Sequence, residues 1–259
     1  MIEQVLATRY VTPLREGGSL PGLVEADDFG TYVVKFRGAG QGLKVLVAEV
    51  VVGELARRLE LRVPELRALQ LDPAIGRYEA DEEVQDLLTA SVGLNLAVDF
   101  LPGSFGWDPA FGITEQEAAR VLWLDAFTAN VDRSWRNPNL LIWHRELWLI
   151  DHGAALYFHH SWASGPDPER FAKQPYDSSE HVFAAYAGQL PEADAELAGR
   201  VDRAMLTEVL ELVPDEWLEP AGRLTEPGGL RTAYIDYLLA RLANRPAWLP
   251  APVNGNPGR

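Results

Sequence analysis

The sequence predicts an α+β fold of two unequal regions, a small strand-rich region with one helix followed by a larger helical region. In the first hundred residues, short β-branched and aromatic runs alternate with turns rich in glycine and aspartate. Longer segments with helical periodicity dominate the remainder. Pro102-Gly103 interrupts the chain between the two patterns, so we expect the regions to cover residues 1–103 and 104–259.

The first region predicts three strands joined by short turns, then one helix and two further strands. Because the first connections are short, these three strands are expected to form an antiparallel meander. The acidic run at 79–86 predicts a solvated face. The predicted strands cover residues 6–14, 20–26, 31–36, 63–71 and 94–101, and the helix covers 43–59.

The second region begins with a capping box, Thr114 to Glu117, which predicts a helix reaching about residue 129. A polar loop at 130–139 leads to a hairpin with strands at 140–143 and 147–150. Further helices are predicted at 192–213 and 229–243, and the Pro-, Gly- and Asn-rich tail at 250–259 is expected to be flexible.

Composition narrows the class of protein. The 259 residues suffice for a sizeable core, and the absence of cysteine excludes disulfides, Cys-zinc sites and thiol nucleophiles. A formal net charge of −15 argues against binding nucleic acid or anionic membrane by bulk electrostatics. No apolar run approaches the ~18 residues of a membrane span, and the segment Met1-Ile2-Glu3-Gln4 does not have the basic-then-apolar pattern expected of a secretory signal. These features predict a cytoplasmic protein.

Lysine is rare in this chain, and one lysine lies in an apolar strand. Only three of 23 basic residues are lysines, at positions 35, 44 and 173. Val34 and Phe36 are expected to point to one face of their strand and Lys35 to the other. A desolvated Lys35 would need a partner, and Glu49 on the following helix is the nearest candidate. The alternative is a lysine at a strand edge that faces water.

The most informative cluster runs from Asp132 to Asp151. Asp132 and Asn137 share one loop, and Asp151 follows the hairpin directly. Phosphoryl transfer uses one carboxylate to position the attacking hydroxyl, and an amide and a second carboxylate to hold Mg²⁺. Each residue alone is more often a turn residue, but their order and spacing favour this chemistry.

Several other motifs suggest different functions, but each fits its function poorly. The glycines of Gly38–Gly42 have the wrong spacing for a dinucleotide loop, and Asp28–Gly30 precedes the lysine strand, which is the wrong order for a magnesium motif. His159 and His160, with His152 and His181, are a weak metal alternative, because neighbouring histidines diverge. Glycoside hydrolysis by paired carboxylates has no support from spacing.

The catalytic cluster resembles a known family. Val131–Ile142 and Leu149–Gly153 resemble the catalytic segment of the HipA-like kinases, and phosphatidylinositol kinases have a similar D-R-x-x-x-N stretch. Val33–Phe36 is similar to the ATP-lysine strand of that family, and Ala48-Glu49 to its helix glutamate. Gly17-Gly18-Ser19 lies where a phosphate-binding turn belongs.

The resemblance implies a bilobal protein-kinase-like fold and a role for each matched residue. Lys35 would contact the α and β phosphates of ATP, and Glu49 would orient it, with Glu54 as the alternative. Asp132 would be the catalytic base. Asp151 would bind Mg²⁺.

The remaining implied contacts concern the metal and the nucleotide. Asn137 would be the second Mg²⁺ ligand, with Asn139 as a rival at a less suitable offset. Gly17, Gly18 and Ser19 would bind phosphate, and adenine would bond to the backbone of Asp99, Phe100 and Leu101.

The acceptor class also comes from the resemblance, which implies a protein Ser or Thr hydroxyl. The alternatives are a small-molecule or lipid kinase, transfer of AMP, and an ATP-binding pseudokinase. No A-P-E sequence follows Gly153. We expect no N-terminal subdomain like that of the HipA toxins, so the resemblance does not extend to a toxin role or an antitoxin partner. Trp135 in the loop is either a core residue or part of the acceptor site.

Overall fold

Five strands near the N-terminus close into a barrel within the residues that the computed structural model describes, namely 1–14, 20–40, 42–77 and 79–251. Neighbouring strands are antiparallel, except that the fourth strand pairs in parallel with the first and closes the barrel. The predicted meander is therefore confirmed. The strands, in the barrel order β1-β2-β3-β5-β4, are β1 (Gln4–Pro13), β2 (Gly22–Ala26), β3 (Thr31–Lys35), β5 (Gly93–Asp99) and β4 (Leu66–Leu71).

Two helices belong to this region, α1 (Leu43–Arg58) and α2 (Glu82–Ala90). The sequence predicted α1 but took the acidic run as a solvated face without a helix. Asp81 caps α2 by accepting from the backbone N–H groups of Glu83 and Val84, at 3.1 and 3.4 Å. Val84 packs into the barrel core while the glutamates of the first turn face water, so α2 covers the barrel with its apolar side.

Helix α1 is buried along most of its length and shares one core with the helices that follow. Its apolar residues occupy all sides, because it lies between the barrel and the helical region. Glu49, in the middle of this helix, is only 2% exposed. A carboxylate at such a position requires a partner.

The second region contains a small sheet of three strands and most of the helices. Thr114 Oγ1 accepts from the Glu117 N–H at 3.1 Å, as the capping box predicted. Short 3₁₀ segments lie at Tyr157–Ser164, Ala184–Gln189, Ala198–Arg200 and Asp215–Trp217. The regular elements are β6 (Phe105–Gly106), α3 (Glu115–Thr128), β7 (Leu140–Trp143), β8 (Glu146–Leu149), α4 (Pro168–Ala172), α5 (Leu190–Leu197), α6 (Arg203–Glu211), α7 (Pro227–Ala243) and α8 (Arg245–Trp248).

The prediction of one continuous helix over 192–213 is wrong. Helix α5 ends at Leu197, and α6 begins after Asp202, whose carboxylate accepts from the Met205 N–H at 2.8 Å. This N-cap starts a new helix and so breaks the run. Most of the predicted tail lies outside the described residues. Within the described ranges, no helix combines the length and the apolar character needed to cross a membrane.

Candidate active site

The barrel and the hairpin meet at a lysine that contacts two carboxylates. Val34 and Phe36 are buried in the barrel, and Lys35 points to the opposite face. Its Nζ donates to Glu49 Oε1 and, at 2.7 Å, to Asp151 Oδ1. The Lys35 side chain is only 14% exposed. The expected contact with Glu49 is confirmed, and the alternative of a water-facing lysine is wrong.

Mutual charge fixes the ionisation of this cluster. Burial alone would lower the pKa of Lys35, but the two carboxylates outweigh it and raise that pKa. Burial opposes ionisation of Asp151 as well, yet the Lys35 ammonium brings the pKa of Asp151 down to about 2. Burial, together with the charge on Asp151, raises the pKa of Glu49. Lys35 is therefore a cation at neutral pH and Asp151 an anion.

Glu54, the alternative partner, does not belong to this cluster. Its carboxylate accepts from Arg58 Nη1 at 2.9 Å and from Arg57 Nε at 3.4 Å, within its own helix. Both are pairs at helical spacing. Of the two glutamates, only Glu49 contacts Lys35.

Gly153, two residues after Asp151, lets the segment that follows the hairpin approach α1. A Cβ atom at Gly153 would lie 2.6 Å from Val45 Cγ1 and 3.1 Å from Glu49 Oε1. Both neighbours belong to α1, so a side chain here would push the Asp151 segment away from Glu49. Asp151 itself has φ of 56°, a left-handed conformation that aspartate adopts more readily than most residues.

Asp132 lies in the loop between α3 and β7, where two amides share its carboxylate. Its Oδ2 accepts from Asn137 Nδ2 at 3.0 Å and from Asn139 Nδ2 at 3.1 Å. The Asn139 carbonyl also accepts from the Ile150 N–H at 3.1 Å. This bond places the end of the loop beside the segment that carries Asp151. Both asparagines contact Asp132 in the same way, so this contact does not show which of them would bind a metal ion.

A buried arginine fixes this loop against the Asp151 segment. Arg133 Nε donates to Asp125 Oδ2 at 2.6 Å, and both side chains are fully buried. Arg133 Nη1 donates to the carbonyls of Asn139 and Ile150. Asp125 is not among the site residues that the sequence predicts. The available signal was one aspartate in an otherwise apolar stretch of α3.

His181 joins the same network through both of its ring nitrogens. Its Nε2 donates to Asp125 Oδ2 at 3.0 Å, while its Nδ1 accepts from the Phe183 N–H at 3.0 Å. Burial lowers the pKa of His152 to about 3, and His159 contacts the Tyr234 hydroxyl at 2.9 Å. Among the described residues, no group of three or more His, Cys, Asp or Glu side chains is placed to hold a metal. The histidine metal site is therefore not supported.

The connection after β5 offers fewer backbone donors than its length suggests. The Asp99 N–H donates to the Glu65 carbonyl at 2.8 Å, and the Phe100 N–H to the Thr31 carbonyl at 3.0 Å. These two amides are therefore used within the fold. Gly17, Gly18 and Ser19 lie outside the described residues.

The barrel, the Lys35 cluster and the Asp132 loop together define a protein of the kinase class. The chain matches the HipA-like kinases over residues 8–250 and belongs to that family. No curated protein matches the chain significantly.

Two solved structures resemble the fold. The crystal structure of a Helicobacter pylori proinflammatory kinase, CtkA, matches with a TM-score of 0.56 and 12% identity, over 95% of this chain and 99% of that chain. A Golgi casein kinase structure matches with a TM-score of 0.44 and 11% identity, over 97% of this chain and 76% of that chain. The CtkA match shows a kinase fold with mixed helices and strands.

Proposed function

We propose that the protein is a Mg²⁺- and ATP-dependent phosphotransferase whose acceptor is a protein Ser or Thr hydroxyl. In this proposal the chain divides into two lobes near Pro102-Gly103, at 1–103 and 104–259, and ATP binds between them. The observation that carries it is the contact of Lys35 with Asp151, which joins the barrel to a segment 116 residues later. One triphosphate can reach both groups at once.

On the nucleotide side, Lys35 contacts the α and β phosphates and Glu49 holds it in place. Lys35 already carries the charge this role needs, and α1 fixes the position of Glu49. Adenine bonds to the backbone at 99–101. Because the amides of Asp99 and Phe100 are engaged, the donor available to adenine is the Leu101 N–H. Gly17, Gly18 and Ser19 complete the phosphate contacts.

The metal side fits Mg²⁺ by its donor chemistry. Carboxylate and amide oxygens suit this hard cation, and phosphates and water supply its other ligands. Asp151 is ionised, its side chain is 46% exposed, and it already binds one cationic group. We assign Asp151 and Asn137 as ligands, with Asn139 as the rival. Bound Mg²⁺ would neutralise charge on the transferred phosphate.

Asp132 acts on the acceptor. Its carboxylate takes the proton of the hydroxyl while the acceptor oxygen forms a bond to the γ phosphorus and the bond to ADP breaks. The amides of Asn137 and Asn139 hold the carboxylate in position. General-base catalysis requires this fixed geometry before the chemical step.

A small-molecule or lipid kinase would use the same residues, and AMP transfer would use ATP bound in reverse. A pseudokinase is disfavoured, because Lys35, Glu49 and Asp151 are in contact and Asp132 is held by two amides. A non-catalytic module has no need of this whole arrangement.

We expect Asp151→Ala to weaken Mg²⁺-dependent ATP binding by at least about 10-fold, because the metal loses its charged protein ligand. Calorimetry with ATP, with and without Mg²⁺, measures this directly. Asp236→Ala, which removes an aspartate of the surface pair with Arg203, is the matched control. Unchanged affinity in Asp151→Ala would refute the assignment. In the same titration, Asn137→Ala and Asn139→Ala show which amide supports Mg²⁺ binding.

A further inference from the structure

Two exposed apolar side chains flank Asp132 in the loop. Trp135 is 59% exposed and Val131 is 65% exposed, although most large apolar side chains of the described residues are buried. Exposed aromatic surface of this kind often marks a site of interaction, and tryptophan dominates many binding hot spots. We call Trp135, Arg136 and Glu180, which contact one another, the Trp135 platform.

The indole of Trp135 is held in place although it is exposed. Its Nε1 donates to Glu180 Oε2 at 2.8 Å, and its backbone N–H donates to the Glu180 carbonyl at 3.2 Å. Arg136 donates to the same carboxylate oxygen at 2.8 Å, and its guanidinium lies 4.1 Å from the ring centroid. A ring fixed in this way loses little conformational entropy when it binds a partner.

The fixation extends into the core. Ser134 and His181 form an isolated antiparallel bridge, and the Val182 N–H donates to the Arg133 carbonyl at 3.2 Å. His181 and Arg133 both contact Asp125. The Trp135 platform is therefore fixed to the same buried network that positions the catalytic loop.

Building on the proposed function, we infer that the Trp135 platform binds an apolar or aromatic side chain of a polypeptide acceptor. Trp135 is three positions after Asp132, so their Cα atoms lie within about 11 Å of each other. An extended peptide covers that distance in about three residues. The recognised side chain therefore lies within about three positions of the acceptor Ser or Thr.

Charge favours a polypeptide over a lipid surface as the partner. The chain carries a formal net charge of −15, which an anionic membrane repels. The platform itself pairs Arg136 with Glu180 and so presents no unpaired cation for a phosphate headgroup.

The test uses Ser-centred peptides, γ-labelled ATP and Mg²⁺, with each position from −3 to +3 set in turn to Phe, Leu, Ser or Asp. We expect a lower KM for peptides with Phe or Leu at one of these positions. Trp135→Ala should remove that preference and raise KM for the preferred peptide about 10-fold or more, with a much smaller change in kcat. Trp135→Phe should restore part of it.

Phe29→Ala, which removes a 99% exposed ring in the β2–β3 turn, is the matched control and should keep the preference. Equal KM for apolar and polar flanks, or an unchanged preference in Trp135→Ala, overturns the inference. Phosphorylation of phosphoinositide vesicles with no labelled peptide overturns it in favour of a lipid. ADP formation without peptide is recorded in parallel. If the wild-type protein neither binds ATP nor forms ADP, the proposed function itself has failed.

Discussion

Asp125→Ala is expected to destabilise the protein by about 3–5 kcal/mol, because it leaves the charge of Arg133 buried without its counterion. Both side chains of this ion pair are fully buried, and His181 donates to the same carboxylate oxygen. The loss should appear in urea unfolding as a lower midpoint with a nearly unchanged slope. Asp236→Ala, which breaks a surface ion pair with Arg203, should cost at most about 1 kcal/mol.

The pH dependence of stability provides a separate check on Asp125. Burial opposes its ionisation, but Arg133 and His181 lower its pKa to about 2 in the folded protein, below the ordinary value of about 4. Its charge therefore stabilises the fold fully above about pH 4, and this contribution is lost as the pH falls toward 2. The stability difference between wild type and Asp125→Asn should shrink over that interval. A constant difference would show that folding does not lower the pKa of Asp125.

Lys35→Arg is expected to lower phosphotransfer by about 10²-fold while the protein stays folded. The ammonium is enclosed by Glu49 and Asp151, and a planar guanidinium is too bulky to make the same point contacts. Arginine keeps the positive charge but cannot place a donor at the same point, and loss of one preorganised donor at a reacting group costs a factor of about this size. Initial rates of γ-phosphate transfer, with thermal unfolding as a check on folding, measure the effect.

Lys44→Arg and Lys173→Arg are the matched controls, since these are the other two lysines of the chain. Neither residue contacts the cluster of Lys35, Glu49 and Asp151 in the described structure. Both variants should keep nearly normal rates. Normal transfer by Lys35→Arg would remove Lys35 from the mechanism.

Local sequence pattern was sufficient to predict features that depend on a single strand or helix. The alternation around Lys35 predicted its direction, because Val34 and Phe36 fill the barrel core. The capping box at Thr114 predicted the start of α3. Asp202 is also a local signal, but it interrupts an apolar pattern that continues through it, so the break between α5 and α6 was missed.

Contacts between distant segments could not be predicted in the same way. Asp125 and His181 are 56 residues apart, and only the packing of α3 against the later loop brings them together. Asn137 and Asn139 were ranked by their spacing from Asp132, yet both amides reach the same oxygen atom. Loop conformation determines such geometry, and residue spacing does not specify it.

The central claim is that this site transfers the γ phosphate of ATP, and labelled nucleotides test it most directly. Wild-type protein and Asp132→Ala are incubated with Mg²⁺ and with γ- or α-labelled ATP, using a cell lysate as acceptor. We expect label from γ alone, reduced by about 10²-fold or more in Asp132→Ala, while ATP affinity stays normal. Label from the α position would show AMP transfer, and equal γ label from both proteins would contradict the role of Asp132.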